Sequence, residues 1–259
     1  MIGDTDVLCM RLRSGRACKL SDGQVGYLHP IPGAKRRGGP FKRREKPPEK
    51  DTSSVKREYE RLAERSSKES LVPLASATGV NVDSLWMMGA VSTARRDVFA
   101  FPMYSFDRVV IGIRYRANDG QKWSQIGSRN GLFLPLPQFP PDGKTVMICE
   151  GATDAAAAAG MDYFPVGRFS VSGGATAIID FMRRYNIYRT IIVADNDEER
   201  MVGDRMVSVG IEGAVRLAEL LPGRRCVLAL PTKDLRGFVN QGGERSDIEH
   251  LVSQLRWMK

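Results

Sequence analysis

The sequence has 259 residues, of which 42% are hydrophobic and 27% are charged, a balance typical of a folded chain rather than a disordered one. No apolar run reaches the roughly 18–20 residues of a membrane-spanning helix, and the N-terminus lacks the apolar segment of a secretory signal. The cysteines are too few for a disulfide scaffold in a chain of this length. We therefore expect a cytoplasmic protein with reduced thiols and no membrane partner.

The net charge of +9 is concentrated in one segment. Residues 35–50 contain eight basic and two acidic residues, which leaves a charge of only +3 for the rest of the chain. Such a basic stretch, rich in proline and glycine, is typical of a flexible arm, and residues 1–53 are predicted to form a basic N-terminal extension. Contact with nucleic acid and a purely solubilising role explain the arm equally well.

Three residues of this extension could in principle bind zinc. Cys9, Cys18 and His29 have irregular spacing, no CxxC pair and no fourth ligand. A small extension with two buried thiols is therefore the favoured interpretation, and the zinc site is the alternative.

Residues 54–140 are predicted to form a small basic α+β subdomain. Charge patterning predicts a helix over 54–67, and two short helices within 71–91 are separated at Gly79. Four strands of an antiparallel sheet follow, with the turn signal Asn-Asp-Gly between the second and third. They are predicted at 98–105, 109–117, 122–127 and 131–135. The proline-rich stretch 135–144 is the predicted domain boundary.

From residue 145 onward, apolar strands alternate with helices, which predicts a parallel sheet covered on both faces. Strands are predicted at 145–150, 189–197 and 225–231, and a strand followed by a glycine turn is predicted within 164–174, with helices between them. Residues 236–259 are predicted to form a C-terminal helical tail whose helix is capped by Ser246 and Glu249. The expected fold class is therefore α/β, with a small antiparallel subdomain before a parallel-rich domain.

Acidic residues follow the ends of three predicted parallel strands. Glu150 ends the first strand, and Asp154 begins the helix after it. Asp195 and Asp197 end the predicted strand that begins at residue 189, and Asp234 lies just beyond the predicted strand 225–231. Ligand sites of open parallel sheets lie at this edge, and converging carboxylates repel one another unless a cation neutralises them. The acids therefore predict a Mg²⁺ or Mn²⁺ site for phosphoryl chemistry, with one or two ions.

Each acid also has a structural explanation when it is considered alone. Asp154 would interact with the positive end of its helix, and Asp195 and Asp197 would cap a turn. Asp234 would be a surface turn residue beside Lys233. It is the occurrence of all these acids at successive strand ends that favours the metal site.

Four motifs resemble those of the TOPRIM domain: CEGATD (149–154), VSGGA (171–175), VADND (193–197) and LPTKDL (230–235). This domain is shared by bacterial-type DNA primases, type IA and II topoisomerases, OLD-family nucleases and RecR-like proteins. The resemblance covers residues 141–235. It implies that Glu150 acts in metal binding or acid/base chemistry and that Asp195 and Asp197 bind the metal. Asp154 and Asp234 resemble the additional acids of the primase branch.

The preceding segment favours the primase branch. Residues 110–133, VIGIRYRANDGQKWSQIGSRNGLF, resemble the basic subdomain before TOPRIM in bacterial and phage-type (DnaG-like) DNA primases. The resemblance implies that Arg116 and Lys122 hold template or nucleotide. Arg114 and Arg129 are expected to line the same groove for single-stranded DNA, where phosphate contacts give salt-sensitive affinity.

Two parts of a typical primase are not found in the sequence. Residues 1–34 do not supply a convincing zinc ribbon, and no P-loop motif marks a helicase domain. A replicative helicase partner would therefore be a separate chain or a missing domain. Residues 198–209, EERMVGDRMVSV, make a longer connection than many TOPRIM domains have, and they are predicted to form a loop over the active site.

Three residues near the acidic edge are further candidates. Gly173 and Gly174 would let the backbone approach a metal or phosphate, although an ordinary turn explains them as well. Arg168 could help to bind a triphosphate, although a surface arginine is the favoured interpretation.

The expected function is metal-dependent synthesis of short primers from nucleoside triphosphates on single-stranded DNA. A nuclease that uses the same acids, and a DNA-binding module without catalysis, are the alternatives. A topoisomerase is not expected, because its strand-cleaving tyrosine lies on a separate large domain for which these 259 residues leave no room. The C-terminal residues 244–257 either dock on the core or pair with another chain.

Overall fold

A computed structural model describes residues 51–136, 140, 145–170, 173–202 and 205–258, together with the backbone of 6–9, 16–19 and 25–30. The chain divides into two compact units, residues 1–50 and residues 51–259. The first unit contains a three-stranded antiparallel sheet of β1 (Asp6–Cys9), β2 (Arg16–Lys19) and β3 (Val25–Pro30), with β3 in the middle. The sequence analysis predicts none of these strands, because such short runs have no clear hydrophobic period.

The zinc hypothesis for the first unit remains untested. Cys9, Cys18 and His29 lie in β1, β2 and β3, but their side chains are outside the described part of the chain. The basic segment 35–50 is also outside it, so the flexible arm stays a prediction.

The second unit is built on a nine-stranded sheet with helices on both faces. The helices are α1 (Ser53–Glu64), α2 (Val72–Thr78), α3 (Val82–Met87), α4 (Ala152–Gly160), α5 (Ala175–Arg184), α6 (Val209–Leu220), α7 (Leu235–Asn240) and α8 (Arg245–Ser253). A short 3₁₀ turn, Glu69–Leu71, precedes α2. The sheet strands are β4 (Val91–Ser92), β5 (Val98–Tyr104), β6 (Val110–Ala117), β7 (Lys122–Ser124), β8 (Leu132–Phe133), β9 (Val146–Glu150), β10 (Phe164–Arg168), β11 (Arg189–Ala194) and β14 (Arg224–Ala229). None of the helices in the described ranges is long and apolar enough to cross a membrane.

The sheet has a parallel half and an antiparallel half that share one continuous ladder. Its order is β14-β11-β9-β10-β8-β5-β6-β7, with β4 also paired to β5. Strands β9, β10, β11 and β14 are parallel, and the other strands pair in antiparallel fashion. The predicted fold class, a parallel-rich domain preceded by an antiparallel one, is confirmed. The junction is the pairing of β8 with β10, whereas most of the predicted boundary at 135–144 lies outside the described residues.

Close packing of small residues holds α4 against the parallel strands. Ala155, Ala156 and Ala158 are fully buried. A Cβ atom at Gly167 of β10 would lie 2.7 Å from the carbonyl oxygen of Gly151 and 3.1 Å from the Cβ of Ala155. Only small side chains permit this approach, and it fixes the start of α4 next to the end of β9.

The C-terminal helix α8 docks on the core, which is the first of the two predicted arrangements of residues 244–257. Ile248 is fully buried and Val252 nearly so, both in the cluster that contains α4. The predicted helix cap is wrong. The capping box is formed by Glu244 and Asp247 rather than by Ser246 and Glu249, because the helix begins at Arg245, two residues earlier than predicted.

Residues 198–209 contain an element that the sequence analysis predicts as a loop. Strands β12 (Arg200–Val202) and β13 (Arg205–Val207) pair as an antiparallel hairpin between β11 and α6. Met201 and Met206 face each other in this hairpin and are 66% and 54% exposed. A run of alternating apolar residues this short gives too weak a period to separate a hairpin from a loop.

Candidate active site

Glu150 lies at the carboxyl end of β9, where the backbone turns sharply into α4. Gly151 has a φ of 89°, and its amide donates to the carbonyl of Arg168 on β10 at 2.8 Å. The Glu150 Oε2 atom is buried without a hydrogen-bond partner among the described residues, and it lies 3.8 Å from Nη2 of Arg168. Burial raises the pKa of Glu150, an effect that Arg168 opposes.

Arg168 is buried, so its interpretation as a surface arginine is wrong. It is 2% exposed at the end of β10, in register with Glu150 on β9. Burial lowers the pKa of the guanidinium, and the charges of Glu150 and Asp195 oppose that shift. A buried cation beside converging acids is held there by their charge. Its predicted contact with a triphosphate remains a prediction.

Asp195 and Asp197 follow β11 and are held from two sides. A Cβ atom at Gly210 of α6 would overlap the carbonyl oxygen of Asp195, so the helix approaches the acid directly. On the other side, the amide of Asn196 donates to the carbonyl of Lys233 at 2.6 Å. The Nζ atom of Lys233 lies 3.7 Å from Oδ1 of Asp197. The segment after β14 and the start of α6 therefore fix the two acids together.

Asp154 and Asp234, which we call the accessory acids, are linked through Arg236. The sequence analysis did not single out this arginine. Asp154 is buried and accepts a hydrogen bond from the backbone amide of Arg236 at 3.1 Å. The Arg236 side chain donates to Oδ2 of Asp234 at 2.9 Å. Asp234 also caps α7 by accepting from the amide of Gly237 at 2.7 Å. Arg236 follows Asp234 by two residues, but its link to Asp154 spans 82 residues of sequence, and no local pattern signals such a contact.

The electrostatics of these acids indicate that they converge. Burial raises the pKa of Asp195 to about 8, and Glu150, Asp154, Asp234 and Asp197 add to the shift in that order. Burial, followed by the charge of Asp234, raises the pKa of Asp154 to about 6. Carboxylates at the ends of β9 and β14 therefore help to raise the pKa of Asp195 at the end of β11.

The acids are arranged as an open set rather than as a closed metal cage. Within the described ranges, no three His, Cys, Asp or Glu side chains are close enough together to enclose an ion. The residues nevertheless fit a hard cation. The unbonded Oε2 of Glu150 and the raised pKa of Asp195 are features that a cation would relieve, and carboxylate oxygens are the donors that Mg²⁺ prefers.

Basic residues lie on one face of the antiparallel strands. Arg114 and Arg116 alternate on β6, and Arg116 is in register with Lys122 on β7. Arg116 is buried, and its Nε has no partner among the described residues. Burial lowers its pKa, the charge of Arg236 adds to this effect, and Asp154 and Asp234 oppose it. The predicted basic face therefore extends to the accessory acids.

The other predicted binding residues have different surroundings. Arg114 donates to Ser124 Oγ at 3.0 Å, and Arg129 is half-buried on the segment after β7. Lys122 is accessible to solvent, yet partial desolvation by the surrounding protein lowers its pKa, and the charge of Arg116 is the second cause. Gly174 has a φ of 89° and starts α5, so an ordinary turn accounts for it, while Gly173 lies beneath the ring of Phe169.

Two cavities lie beside the acids and the basic face. One, of about 600 Å³, is lined by Asn196, Asp197, Glu198, Glu199 and Lys233. The other, of about 560 Å³, lies between α2, the turn after β6 and the start of α7. Arg116, Lys233, Asp234 and Arg236 are among its lining residues. Lys233 lines both cavities, so they are neighbours, and we call the two together the trench.

Comparison with known proteins connects this arrangement to one fold. No family model and no curated protein matches the sequence. Among solved structures, the Aquifex aeolicus primase (zinc-binding and RNA polymerase domains) has a TM-score of 0.59 at 12% identity, over 79% of this chain and 61% of that one. A DnaG primase catalytic domain bound to ssDNA has a TM-score of 0.54 at 13% identity, over 79% and 81%. The primase fragment of the bacteriophage T7 primase-helicase has a TM-score of 0.51 at 18% identity, over 68% and 72%.

The chain has the fold of a DnaG-like primase catalytic core. The resemblance predicted from the motifs is thereby confirmed at the level of the fold. At identities of 12–18%, the primase fold alone does not assign an activity to these residues.

Proposed function

We propose that this protein is a DNA primase-type nucleotidyltransferase that synthesises short primers on single-stranded DNA from nucleoside triphosphates. The observation that carries the proposal is the convergence of buried acids with raised pKa values around Asp195, beside Arg116, whose buried Nε has no partner among the described residues. Phosphoryl transfer needs such a combination, because a metal site and cationic groups together bind a polyphosphate.

The acids divide into two groups under this proposal. Glu150, Asp195 and Asp197 would hold Mg²⁺ or Mn²⁺, with Asp154 and Asp234 as accessory acids. The bound cation would supply charge stabilisation for the transferring phosphoryl group and the pyrophosphate. The open arrangement of the carboxylates suits a metal that keeps waters and binds phosphate oxygens.

The basic residues would bind the nucleoside triphosphate and the template strand. Arg168, which lies beside Glu150, would contact the triphosphate, and Gly173 and Gly174 lie at the start of the next helix. Arg114, Arg116, Lys122 and Arg129 would contact the phosphates of the template strand. A replicative helicase on a separate chain or domain is the proposed partner, by analogy with the primase-helicase of bacteriophage T7.

The proposal is tested with purified protein, single-stranded DNA, all four nucleoside triphosphates and Mg²⁺ or Mn²⁺, with products resolved on a denaturing gel. Asp195→Asn should reduce primer synthesis at least ~100-fold, because several kcal/mol of charge stabilisation is lost. DNA binding should be retained. Glu199→Gln removes one exposed acid from the same trench and serves as the matched control.

Three outcomes separate the candidate functions. New short oligonucleotides that disappear in Asp195→Asn and persist in Glu199→Gln support a primase. Shortened DNA with the same dependence on Asp195 would make the protein a nuclease. DNA binding without either product would contradict catalysis and leave a binding module.

A further inference from the structure

A second basic surface lies at the opposite ends of the parallel strands. Arg189 begins β11 and Arg224 begins β14, and the two residues are partners in the parallel ladder. Both guanidinium groups approach the ring of Trp257, at 4.3 Å from its centre for Arg189 and 5.7 Å for Arg224. We call Tyr188, Arg189, Arg224 and Trp257 the arginine edge.

The arginine edge is separate from the candidate active site. Asp195 follows the last residue of β11, whereas Arg189 is the first residue of that six-residue strand. At ~3.3 Å per residue the two ends of the strand are about 20 Å apart. A ligand on the arginine edge would therefore contact none of the acids at the carboxyl ends of the strands.

The two guanidinium groups carry charge that the described part of the chain does not neutralise. Arg189 and Arg224 are exposed, and no ion pair with a carboxylate of a described residue involves either of them. Two cations over one ring repel each other, so an anion bound between them would be favourable.

Neighbouring groups show which contacts are already made. Arg225 donates to the carbonyl oxygens of Ala218 and Gly223, both at 2.7 Å. Its guanidinium is therefore engaged by carbonyl groups at and just after the end of α6. The carbonyl of Tyr188 accepts from the amide of Arg224 at 2.7 Å, which fixes the backbone at Tyr188. The Tyr188 ring is 69% exposed and immediately precedes Arg189.

We propose that the arginine edge binds single-stranded nucleic acid, with Arg189 and Arg224 on its phosphates and Tyr188 stacked on a base. Arginine matches the geometry of phosphate, and an exposed aromatic ring beside it provides the stacking platform of single-strand binders. The identity of the strand as template rests on the proposed function, since a long template would extend beyond the trench. An acidic polypeptide is the competing partner.

The test measures fluorescence anisotropy of the full chain with labelled oligothymidylates of about 10 and about 40 nucleotides, at several salt concentrations and without nucleotides. Arg189→Gln/Arg224→Gln should weaken binding of the longer strand about tenfold and reduce the salt slope by about 1.4, the value for two phosphate contacts. Binding of the shorter strand and primer synthesis on a short template should not change.

The matched control is Arg95→Gln/Arg96→Gln. It removes the same charge from exposed arginines before β5, four strands from β11 in the sheet and therefore about 19 Å away. Tyr188→Ala provides a second variant that keeps both cations, and it should weaken binding of the longer strand without changing the salt slope. Thermal melts verify that each variant is folded.

Several results would overturn the proposal. These are equal losses for both strand lengths, equal losses in the control, and an unchanged salt slope in a folded Arg189→Gln/Arg224→Gln variant. Capture of polyglutamate in place of DNA would assign the edge to an acidic protein. The wild type could bind the longer strand more tightly, lose that binding in the Arg189→Gln/Arg224→Gln variant, and yet make no primers. This result would support the arginine edge and contradict only the proposed function.

Discussion

The backbone amide of Arg236 donates to the buried carboxylate of Asp154, which ties the start of α7 to the start of α4. Because the donor is a main-chain group, this bond does not depend on the arginine side chain. The side chain is engaged separately, with Asp234. One residue thus connects both accessory acids by two independent contacts.

Substitutions at Asp154 should separate its hydrogen bond from its charge. Asp154→Ala leaves the amide of Arg236 without its acceptor and should lower the free energy of unfolding by about 1–3 kcal/mol. Asp154→Asn keeps an acceptor oxygen and removes the repulsion with Asp234, so its stability at pH 8 should equal or exceed that of the wild type. Urea denaturation measures both variants. An Asp154→Asn variant as unstable as Asp154→Ala would show that the charge itself is required.

The stability of the metal-free protein should depend on the protonation of Asp195. Its pKa is about 8 in the folded state, against 3.8 for an ordinary aspartate, so the folded state binds a proton that the unfolded state lacks. This contribution to stability is fully present below about pH 4 and is lost as the pH rises through about 8. Asp195→Asn should therefore match the wild type below about pH 4, exceed it increasingly between about pH 4 and about pH 8, and keep a constant advantage above that.

The measurement is the midpoint of urea denaturation at a series of pH values in the presence of a chelator. Glu199→Gln, at an exposed site, should follow the wild type throughout. A constant difference between Asp195→Asn and the wild type across the range would contradict the raised pKa. Added Mg²⁺ should stabilise the wild type and not Asp195→Asn, because binding to the folded state raises its stability.

Gly210 should be required for the position of Asp195. A methyl group at Gly210 would overlap the carbonyl oxygen of Asp195, so α6 would have to move away from β11. We expect Gly210→Ala to lower stability by about 1–3 kcal/mol, although alanine is usually preferred over glycine in a helix. Chemical denaturation checks this, with Val215→Ala on the exposed side of α6 as the control. A stabilised Gly210→Ala would show that the helix can shift at no cost.

The sequence predicted the parts of the fold that depend on local patterns. The apolar strands around Cys149 and Cys226 are buried, and the acids Glu150 and Asp195 lie at strand ends as their position after apolar runs indicated. The burial of Arg168 was not predictable in this way. It depends on β10 being an interior strand, between β8 and β9, which only the assembled sheet determines.

Contacts between distant segments account for the rest of what the sequence missed. The link from Arg236 to Asp154 and the approach of Gly210 to Asp195 join residues that share no local period. The cap of α8 differs for a related reason. Glu244 and Asp247 have the same spacing as a capping box of serine and glutamate, but two acids are a rarer pair for that role.

The pairing of β8 with β10 has a mechanical consequence for the sheet. Because Phe133 and Leu132 are joined in register to Gly167 and Arg168, the two halves of the sheet cannot swing apart without breaking that ladder. A hinge between the halves would therefore cost these backbone hydrogen bonds. Changes in the shape of the trench are expected from side chains such as that of Lys233, which lines both cavities.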